Sequence, residues 1–368
     1  MALGTKIAIL GAGQIGRAIF QILRKLKFNV LHTTFTDIDI IIFDSNADNL
    51  LNIDATINNS DLSTLKITEI SAILKKEKVT HVMNALPFHM NEKVASAAKL
   101  AKCAYIDFTE DDIMAESVME IYKDSGLTCA VKCGLAPGFI NYVGHELVKL
   151  INEPDSLTIS VGALPRTVSY DKKHPEHSYN LTWSVDGLVN EYLRDCKVRK
   201  DGKEILVNPL SEKIKIILDG VKYEAAHTSG GIGSLVRDLV NVPNVCYKTL
   251  RYPGHYKYVQ SILAENDWNF EKIKKIFIEK FPFTDDDVII VYANVLGKNK
   301  GIYSRRTYHN KFYGVNGLTA IQSTTAGSGV AILELMLTNK ISGLITHSSI
   351  DFQTFTNTLA FREYYKSS

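Results

Sequence analysis

The sequence has few cysteines and lacks a long apolar run. Its five cysteines are scattered over 368 residues: Cys103, Cys129, Cys133, Cys196 and Cys246. They form no disulfide framework, and no CxxC pair with histidines predicts a zinc site, so we expect free thiols and no metal. No apolar stretch approaches the roughly 18 residues of a membrane span, and the chain enters a strand without the apolar core of a signal peptide. We therefore expect a cytoplasmic protein that binds no membrane.

An excess of charge of one sign is lacking too. The formal net charge is +2, with 22% charged and 45% apolar residues. This is an ordinary globular composition, and it gives no electrostatic argument for binding nucleic acid. At 368 residues the chain exceeds the usual size of one hydrophobic core, so we expect about two domains.

What the sequence does contain is a dinucleotide-binding pattern near its start. An apolar run over residues 6–10 and a later amphipathic stretch flank the motif Gly11-Ala12-Gly13-Gln14-Ile15-Gly16. The pattern predicts a strand, a turn and a helix. Gly11 permits the turn, Gly13 lets the backbone approach a pyrophosphate, and Gly16 lets the helix pack closely on the strand. The helix N-terminus then faces the phosphate charge.

An acidic residue follows the second predicted strand, over residues 38–43. Asp44 can accept a hydrogen bond from a ribose 2′-hydroxyl, and an ordinary acidic turn residue is the alternative. Its charge would repel the 2′-phosphate of NADP, and no lysine or arginine follows in Ser45-Asn46-Ala47-Asp48. NAD is therefore the expected cofactor, with NADP less favoured. Because Asp44 lies further from Gly16 than the roughly 20 positions usual for this motif, we expect a longer first helix or an extra loop over 33–37.

Strand and helix patterns alternate from residue 5 to about residue 130. Strands are predicted over 6–10, 38–43, 79–83, 104–107 and 127–133, and helices up to residue 26 and over 65–76, 90–101 and 115–123. Such alternation implies parallel strands with crossover helices. We predict an α/β fold whose first domain, residues 1–135, is a Rossmann dinucleotide-binding domain.

The pattern changes after Leu135-Ala136-Pro137-Gly138. Alternation over 156–164, 197–207 and 213–218 predicts an antiparallel sheet, helices are predicted over 256–264 and 270–280, and a strand over 288–296. Lys200-Asp201-Gly202-Lys203 predicts a hairpin, because Asp-Gly tolerates the positive φ of a type I′ turn. We assign residues 136–322 to an inserted α+β mixed-sheet domain for substrate binding and dimerisation.

The C-terminal part contains Thr325-Ala326-Gly327-Ser328-Gly329 ahead of an apolar helix over 330–337. This small-residue segment leads into the predicted helix, with a second phosphate loop as the alternative. Residues 323–368 are assigned to a helical segment that returns to the Rossmann domain.

Polar groups follow the later predicted strands, where ligands of an open parallel sheet bind. They are Asn84-Ala85-Leu86-Pro87, Asp107-Phe108-Thr109 and Lys132-Cys133-Gly134. We expect these groups to converge near a nicotinamide ring. Cys133 would then contact the cofactor, and the alternative is a small buried apolar residue.

Together these residues resemble the saccharopine dehydrogenase superfamily, and most closely its lysine 6-dehydrogenase branch. The resemblance spans about residues 5–340 and lies in Asn84-Ala85-Leu86-Pro87, Tyr105-Ile106-Asp107, Trp183-Ser184-Val185-Asp186-Gly187, Gly134-Leu135-Ala136-Pro137-Gly138, Thr228-Ser229-Gly230-Gly231 and Lys248-Thr249-Leu250-Arg251-Tyr252-Pro253-Gly254-His255. It implies hydride transfer from the CH–NH bond of an amino acid to a nicotinamide. A base must remove the amine proton, because a protonated amine cannot release hydride.

The candidate bases are Asp107, Lys132, His227 and His255. We favour Asp107 as an electrostatic or proton-handling group, with a helix or turn cap as the alternative. Lys132 is a usable base if it is buried, and otherwise its side chain reaches solvent. Lys132 also departs from the family, which more often has an acidic or neutral residue there. Since a cation repels an ammonium and attracts a carboxylate, a saccharopine-like or carboxylated polyamine substrate stays open.

Five residues of the second domain are candidate substrate ligands. Arg251 can bind an α-carboxylate through parallel N–H groups, or it forms a structural salt bridge. Thr228, Ser229 and Gly230 can present hydroxyls and backbone N–H groups to a carboxylate, or they form a plain loop. His255 contacts either the turn before it or the substrate.

The sequence leaves three functions open. The first is a lysine 6-dehydrogenase or saccharopine dehydrogenase that uses NAD or NADP. The second is a saccharopine or carboxynorspermidine reductase that runs toward C–N bond formation. The third is a catalytically inactive NAD-binding sensor or scaffold. We expect a small amino-acid substrate and a homodimer formed through the sheet of the second domain.

Overall fold

The computed structural model describes residues 4–27, 35, 37–167 and 179–367. The chain divides into two compact units. Unit 1 comprises Met1–Phe139 and Gln322–Tyr365, and unit 2 comprises Ile140–Ile321 and Lys366–Ser368. The extra loop expected within residues 33–37 lies outside the described residues, apart from Phe35 and Asp37. No helix in the described ranges is long and apolar enough to cross a membrane.

The strands and helices are as follows in chain order. The strands are β1 (Thr5–Leu10), β2 (Ile38–Phe43), β3 (Thr56–Asn58), β4 (His81–Asn84), β5 (Ala104–Asp107), β6 (Cys129–Ala130), β7 (Glu153–Pro165), β8 (Cys196–Lys200), β9 (Lys203–Val207), β10 (Ile214–Leu218), β11 (Val221–His227), β12 (Asn244–Arg251), β13 (Asp287–Asn299), β14 (Ile302–Tyr313) and β15 (Leu344–Ile345). The helices are α1 (Gln14–Lys27), α2 (Ile67–Lys76), α3 (Asn91–Leu100), α4 (Asp112–Tyr122), α5 (Phe139–Lys149), α6 (Val185–Leu193), α7 (Leu235–Asp238), α8 (His255–Glu265), α9 (Phe270–Lys280), α10 (Ala320–Leu337), α11 (Phe352–Thr356) and α12 (Leu359–Tyr364).

The sheet of unit 1 is parallel throughout its described strands. Its order is β15-β6-β5-β4-β1-β2-β3, so the chain turns to opposite sides of β1 on reaching β2 and β4. Residues 7–10 of β1 are all buried because helices cover both faces of such a sheet. The Rossmann architecture predicted from the alternating pattern is thus confirmed, and its topological switch point lies between β1 and β4.

The strand predicted over 127–133 is shorter in the structure than expected. Only Cys129 and Ala130 form β6, and Lys132 has a left-handed φ of 60°. The backbone N–H of Lys132 donates to the Asp107 carboxylate at 3.1 Å, which takes it out of the strand ladder. Lys132 therefore lies in a loop beyond the strand, and does not end the strand as predicted.

The helix predicted over 330–337 begins earlier than expected, because residues 325–329 already lie inside α10. Their small size serves close packing. A Cβ on Gly329 would lie 2.4 Å from the Phe108 ring, and one on Gly327 would lie 3.1 Å from the Tyr364 Cβ. The glycines therefore mark close helix contacts within unit 1, and the second phosphate loop is excluded.

Unit 2 contains a mixed sheet. Its path is β10-β11-β12-β7-β13-β14, and β8 pairs with both β12 and β9. The predicted antiparallel pattern holds for the described pairs except β12 with β7, which is parallel. The hairpin at residues 200–203 is confirmed, since Asp201 and Gly202 both have positive φ values of 49° and 77°. Helices α6, α8 and α9 bury aromatic side chains against this sheet.

Candidate functional site

The glycine motif joins β1 to α1 at the switch point. A Cβ on Gly11 would lie 2.9 Å from the Ala85 carbonyl oxygen, and one on Gly16 would lie 1.7 Å from the Gly11 carbonyl oxygen. Gly11 also has a φ of 94°. A Cβ on Gly13, in contrast, would meet no atom within 4 Å. Two glycines thus allow the chain to pack on itself, while Gly13 faces open space of the kind a pyrophosphate needs.

Asp44 lies beside this motif, because Leu10 and Phe43 pair at the ends of β1 and β2. One carboxylate oxygen accepts from the Ala12 N–H at 2.7 Å, and the other accepts from the Asn46 N–H at 2.8 Å. Ser45, which follows Asp44 and is a further candidate for contact with the cofactor, is exposed. The glycine loop, the start of α1 at Gln14 and Ile15, and an acid at the end of β2 together fit a dinucleotide.

Three neighbouring strands end in line at the same edge. Leu10 pairs with Asn84, and Asn84 pairs with Asp107, so β1, β4 and β5 stop together. With about 4.8 Å between strands, the Asp107 backbone lies about 10 Å from that of Leu10. Beyond β4, Ala85 and Leu86 are half-buried and Pro87 is exposed. The register therefore brings the predicted Asn84–Pro87 segment between the glycine loop and Asp107.

Asp107 is fully buried and accepts four hydrogen bonds. One oxygen accepts from the backbone N–H groups of Thr109 and Lys132, at 3.2 and 3.1 Å. The other accepts from the Asn91 amide and the Tyr105 hydroxyl, both at 3.2 Å. Burial raises the pKa of Asp107 to about 6, although these hydrogen bonds oppose the shift. Asp107 therefore changes its charge close to neutral pH.

The Asp107 network reaches the segment after β4. The side-chain oxygen of Asn91 accepts from the Asn84 side-chain amide at 2.9 Å, and the Asn84 side-chain oxygen accepts from the Leu86 N–H at 3.3 Å. Asn84 itself is buried. Asn84 therefore orders the loop from within, and the cofactor contact expected of it stays a prediction.

Lys132 is buried and held at three points. Its ammonium forms an ion pair with Asp112, its N–H donates to Asp107, and its carbonyl oxygen lies 3.2 Å from Nε2 of His347. The alternative, in which the Lys132 side chain reaches solvent, is therefore wrong. Because Asp112 balances its charge, Lys132 is also a weaker attractor of a substrate carboxylate than the sequence suggested. The neighbouring Cys133 is a buried thiol whose pKa is raised well above its usual range by burial.

Arg251 is buried at the end of β12 with a set of partners from α6. Its Nε donates to the Tyr192 hydroxyl at 2.9 Å, and a terminal nitrogen lies 3.2 Å from a Glu191 carboxylate oxygen. Another terminal nitrogen donates to the Leu250 carbonyl oxygen at 3.0 Å. The Tyr179 ring lies 4.9 Å from the guanidinium carbon. The salt bridge named as the alternative for Arg251 therefore exists.

Glu191 and His255 complete this cluster. Burial raises the pKa of Glu191 to about 7, with the guanidinium of Arg251 opposing the shift. His255 is fully buried, and its Nε2 lies 2.9 Å from the Tyr192 hydroxyl. Burial, followed by the charge of Arg251, lowers the pKa of His255 well below its usual range. His255 is therefore neutral at physiological pH.

The hydroxyls of Thr228 and Ser229, two of the candidate substrate ligands, form hydrogen bonds within unit 2. Thr228 and Thr249 share a hydrogen bond of 2.6 Å, and the Ser229 hydroxyl donates to the Asn190 carbonyl oxygen at 3.0 Å. Gly230 has a φ of 97°, a positive value of the kind found where successive backbone N–H groups point to one side. The segment is an ordered turn, and its side chains are committed to neighbouring residues.

His227, the remaining candidate base, belongs to a separate charged group. Its Nε2 lies 3.2 Å from the Glu212 carboxylate, which also pairs with Lys200 at 3.2 Å. Lys248 lies 3.9 Å from the same carboxylate. Burial lowers the pKa of His227, and the charge of Lys248 lowers it further. Since Glu212 engages its Nε2, His227 is not an open base in this structure.

Several residues of these networks are not predicted from the sequence: Asn91, Asp112, Glu191, Tyr192 and Glu212. For Glu191 a signal was present, because it shares the buried face of α6 with Leu188 and Tyr192. An acid on the apolar face of a helix is costly unless it is paired. Among the described side chains, no group of three or more His, Cys, Asp or Glu residues is arranged to hold a metal ion.

Comparison with known proteins gives two family matches. The saccharopine dehydrogenase NADP binding domain matches residues 7–129, and the saccharopine dehydrogenase C-terminal domain matches residues 134–360. Among solved structures, saccharopine dehydrogenase (L-Glu forming) from Saccharomyces cerevisiae is similar with a TM-score of 0.77, 15% identity and 99% of each chain covered. Homospermidine synthase from Legionella pneumophila in complex with NAD has a TM-score of 0.68 and 13% identity, covering 100% of this chain and 91% of that one. At these identities, the two similarities show a shared fold and nothing more.

Proposed function

Because this chain belongs to the saccharopine dehydrogenase family of NAD(P)-binding oxidoreductases, we propose that it oxidises the CH–NH bond of an amino acid with NAD as hydride acceptor. Lysine is the simplest candidate, and saccharopine is the next. The observation that carries the proposal is the position of Asp107. Asp107 is a buried carboxyl whose pKa is raised by burial to about 6, and it ends β5, two strands away from β1 and the glycine loop.

The chemistry assigned to this edge of the sheet follows from the residues present. A bound nicotinamide supplies the hydride acceptor, and the chain must stabilise the positive charge that grows on the substrate nitrogen and carbon as hydride leaves. Asp107 provides a negative charge above its pKa. Through Asn91 and Asn84 it also fixes the Leu86 backbone, and through Lys132 it fixes the loop after β6. Asp107 thus acts electrostatically and by positioning both loops.

Transfer of deuterium tests the proposed reaction directly. Lysine deuterated on its ε carbon, incubated with the protein and NAD, is expected to yield NADH that carries deuterium on the nicotinamide ring. Mass spectrometry of the isolated NADH measures this. Reduced cofactor without deuterium, formed while lysine is consumed, would place the oxidation at another carbon.

Asp44 supports NAD over NADP, and its removal gives a prediction. Asp44→Asn is expected to weaken NAD binding about tenfold, because the ribose 2′-hydroxyl loses a charged acceptor. The ratio of the affinity for NAD to the affinity for NADP is expected to fall as well. Asp48→Asn removes the same charge from an exposed position four residues further on, and is the matched control. Titration of both cofactors by fluorescence quenching measures the affinities. Equal changes in the two variants would show that Asp44 acts only through net charge.

A further inference from the structure

His347 lies at the same edge of the unit 1 sheet as Asp107. Strand β15 pairs in parallel with β6, and Ile345 lies opposite Ala130. His347 comes two residues after Ile345, as Lys132 comes two residues after Ala130, so the two residues leave the sheet side by side. The side chain of His347 is buried. His347 therefore adjoins the loop that reaches Asp107.

His347 donates a hydrogen bond to the backbone of this loop. Its Nε2 lies 3.2 Å from the Lys132 carbonyl oxygen. A carbonyl oxygen only accepts, so Nε2 carries the hydrogen. An imidazolium also carries a hydrogen on Nε2, so His347 donates in both of its charge states. The contact therefore does not depend on the charge of His347.

The backbone of Lys132 needs such support. Its φ of 60° is left-handed, a conformation that is unfavourable for a residue with a Cβ and that persists only where the surroundings fix it. His347 fixes the carbonyl of Lys132, and Asp107 accepts from its N–H at 3.1 Å. The ammonium of Lys132 pairs with Asp112 on α4. The two backbone contacts lie on either side of the Lys132 Cα, and together they hold its left-handed conformation.

The Lys132 N–H in turn affects the charge of Asp107. Burial raises the pKa of Asp107 to about 6, and the hydrogen bond from the Lys132 N–H is the largest of the effects that oppose this rise. The Thr109 N–H and the Tyr105 hydroxyl oppose it less. Such donors lower a pKa because they stabilise the charged carboxylate. Loss of the Lys132 N–H would therefore raise the pKa of Asp107 further.

The thiols and the phenol around Asp107 are neutral at physiological pH. Burial raises the pKa of Cys129 and of Cys133 well above the usual range of a thiol, and the charge of Asp107 raises both further. Burial also raises the pKa of the Tyr105 hydroxyl well above its usual value. The charged neighbour is the Lys132 ammonium, which its acidic partner on α4 balances. The charge of Asp107 therefore depends mainly on burial and on the hydrogen bonds that it accepts.

We propose that His347 is a positioning residue for Asp107. Its Nε2–H fixes the Lys132 carbonyl and thereby keeps the Lys132 N–H directed at the Asp107 carboxylate. His347 acts through Lys132 and does not touch the reacting atoms. The consequence for the reaction rate rests on the proposed function, whereas the consequence for the acidity of Asp107 does not.

Substitution of His347 by each of the two amides tests this inference. The amide nitrogen of glutamine takes the place of Nε2, and that of asparagine takes the place of Nδ1. His347→Gln is expected to keep the pKa of Asp107 at about 6. His347→Asn removes the donor and is expected to raise this pKa by about one unit, a tenfold change in the acid dissociation constant. The rise of kcat with pH should move to higher pH by the same amount, and the rate above this rise should stay within a few-fold of the wild type.

The free energy of unfolding reports the same pKa without any substrate. Each variant would be compared, from about pH 4 to about pH 8, with the same variant carrying Asp107→Asn. The difference should fall through about pH 6 in the wild type and in His347→Gln, and through about pH 7 in His347→Asn. His81→Asn is the matched control, because the half-buried His81 begins β4 at the opposite edge of the sheet.

Lys132→Gly provides a second test of the route through the backbone. Glycine adopts a positive φ about as readily as a negative one, so the N–H of residue 132 should need less support from residue 347. His347→Asn should therefore raise the pKa of Asp107 much less in the Lys132→Gly background than in the wild type. Equal shifts in the two backgrounds would show that the effect does not pass through the conformation of Lys132.

Two further results would overturn the inference. One is an unchanged pKa of Asp107 in His347→Asn, or the same shift in His347→Gln. The other needs no variant: the amide resonance of Lys132 in the wild type, followed by NMR, should titrate with Asp107 at about pH 6, and a resonance that does not move there would contradict the inference.

Failure of this inference is distinguishable from failure of the proposed function. If no amine reduces NAD but the unfolding curves shift as expected in His347→Asn, the positioning role stands and the oxidation falls. If amines reduce NAD and neither the rate profile nor the unfolding curves shift, the oxidation stands and the positioning role falls.

Discussion

Arg251→Ala is expected to abolish amine-dependent reduction of NAD and to lower the free energy of unfolding by about 3–5 kcal/mol. The loss of stability follows from the geometry, because Glu191 would stay buried without the cation that lies 3.2 Å away. The loss of activity follows from the role predicted for Arg251 from the sequence, which is to bind the carboxylate of the substrate. NAD binding is expected to persist, since Arg251 belongs to unit 2 and the glycine motif belongs to unit 1.

A second variant separates the two effects of Arg251. Arg251→Met combined with Glu191→Leu replaces the buried ion pair with apolar side chains, an exchange that is often neutral or stabilising. Urea unfolding is expected to show stability close to that of the wild type, while turnover stays lost. If the double variant regains turnover, Arg251 serves only as a structural salt bridge. Equal losses of NAD binding and turnover in Arg251→Ala would also contradict the assignment.

Asp107→Asn is expected to lower kcat by about a hundredfold or more, the usual loss when a group that stabilises charge in the transition state is removed. The wild-type rate is expected to rise with pH through about 6, because Asp107 acts in its charged form and its pKa lies there. In Asp107→Asn the rate should no longer rise with pH through about 6. Steady-state rates from pH 5 to about 8 measure both effects.

The pH dependence of the free energy of unfolding gives an independent measure of the pKa of Asp107. The pKa of Asp107 is raised from 3.8 to about 6 in the folded protein. Its contribution to stability is therefore complete below about pH 4 and is lost as pH rises through about 6. Over this window the free energy of unfolding of the wild type should fall relative to Asp107→Asn by on the order of 3 kcal/mol. A constant difference between the two proteins would show that Asp107 has an ordinary pKa.

Asp287 provides the matched control for Asp107. It is a buried carboxylate of unit 2 that accepts from the backbone N–H groups of Ala320 and Ile321, and burial raises its pKa as well. Asp287→Asn should change the pH dependence of stability and leave the pH profile of kcat unchanged. If both variants altered the rate profile in the same way, loss of stability would explain the effect of Asp107→Asn.

The N-terminal half of the site could be predicted from sequence because its signals are local. Gly11 to Gly16 and Asp44 each follow an apolar strand directly, and the order of the strands places them at one edge. Asp107 follows the same rule. Since neighbouring parallel strands end together, residues next to strand ends in the sequence become neighbours in space.

The rest depends on contacts between distant positions. Lys132 leaves its strand because of a hydrogen bond to Asp107, 25 positions away, and no local pattern encodes that bond. Arg251 meets Glu191 across 60 positions. Gly327 and Gly329 lie inside α10 although glycine disfavours helices in isolation, because here it admits Tyr364 and Phe108 at close range. Tertiary packing overrides the local preference at each of these positions.

The central claim, amine oxidation with NAD, is tested most directly by absorbance at the reduced-nicotinamide band. The protein would be offered NAD or NADP with lysine, saccharopine or carboxynorspermidine in turn. We predict a rise in absorbance with NAD and with lysine or saccharopine. A signal only with carboxynorspermidine, or only in the direction of C–N bond formation, would assign the protein to the reductases. No signal with any of these substrates, despite measurable NAD binding, would contradict the account and favour a non-catalytic NAD-binding protein.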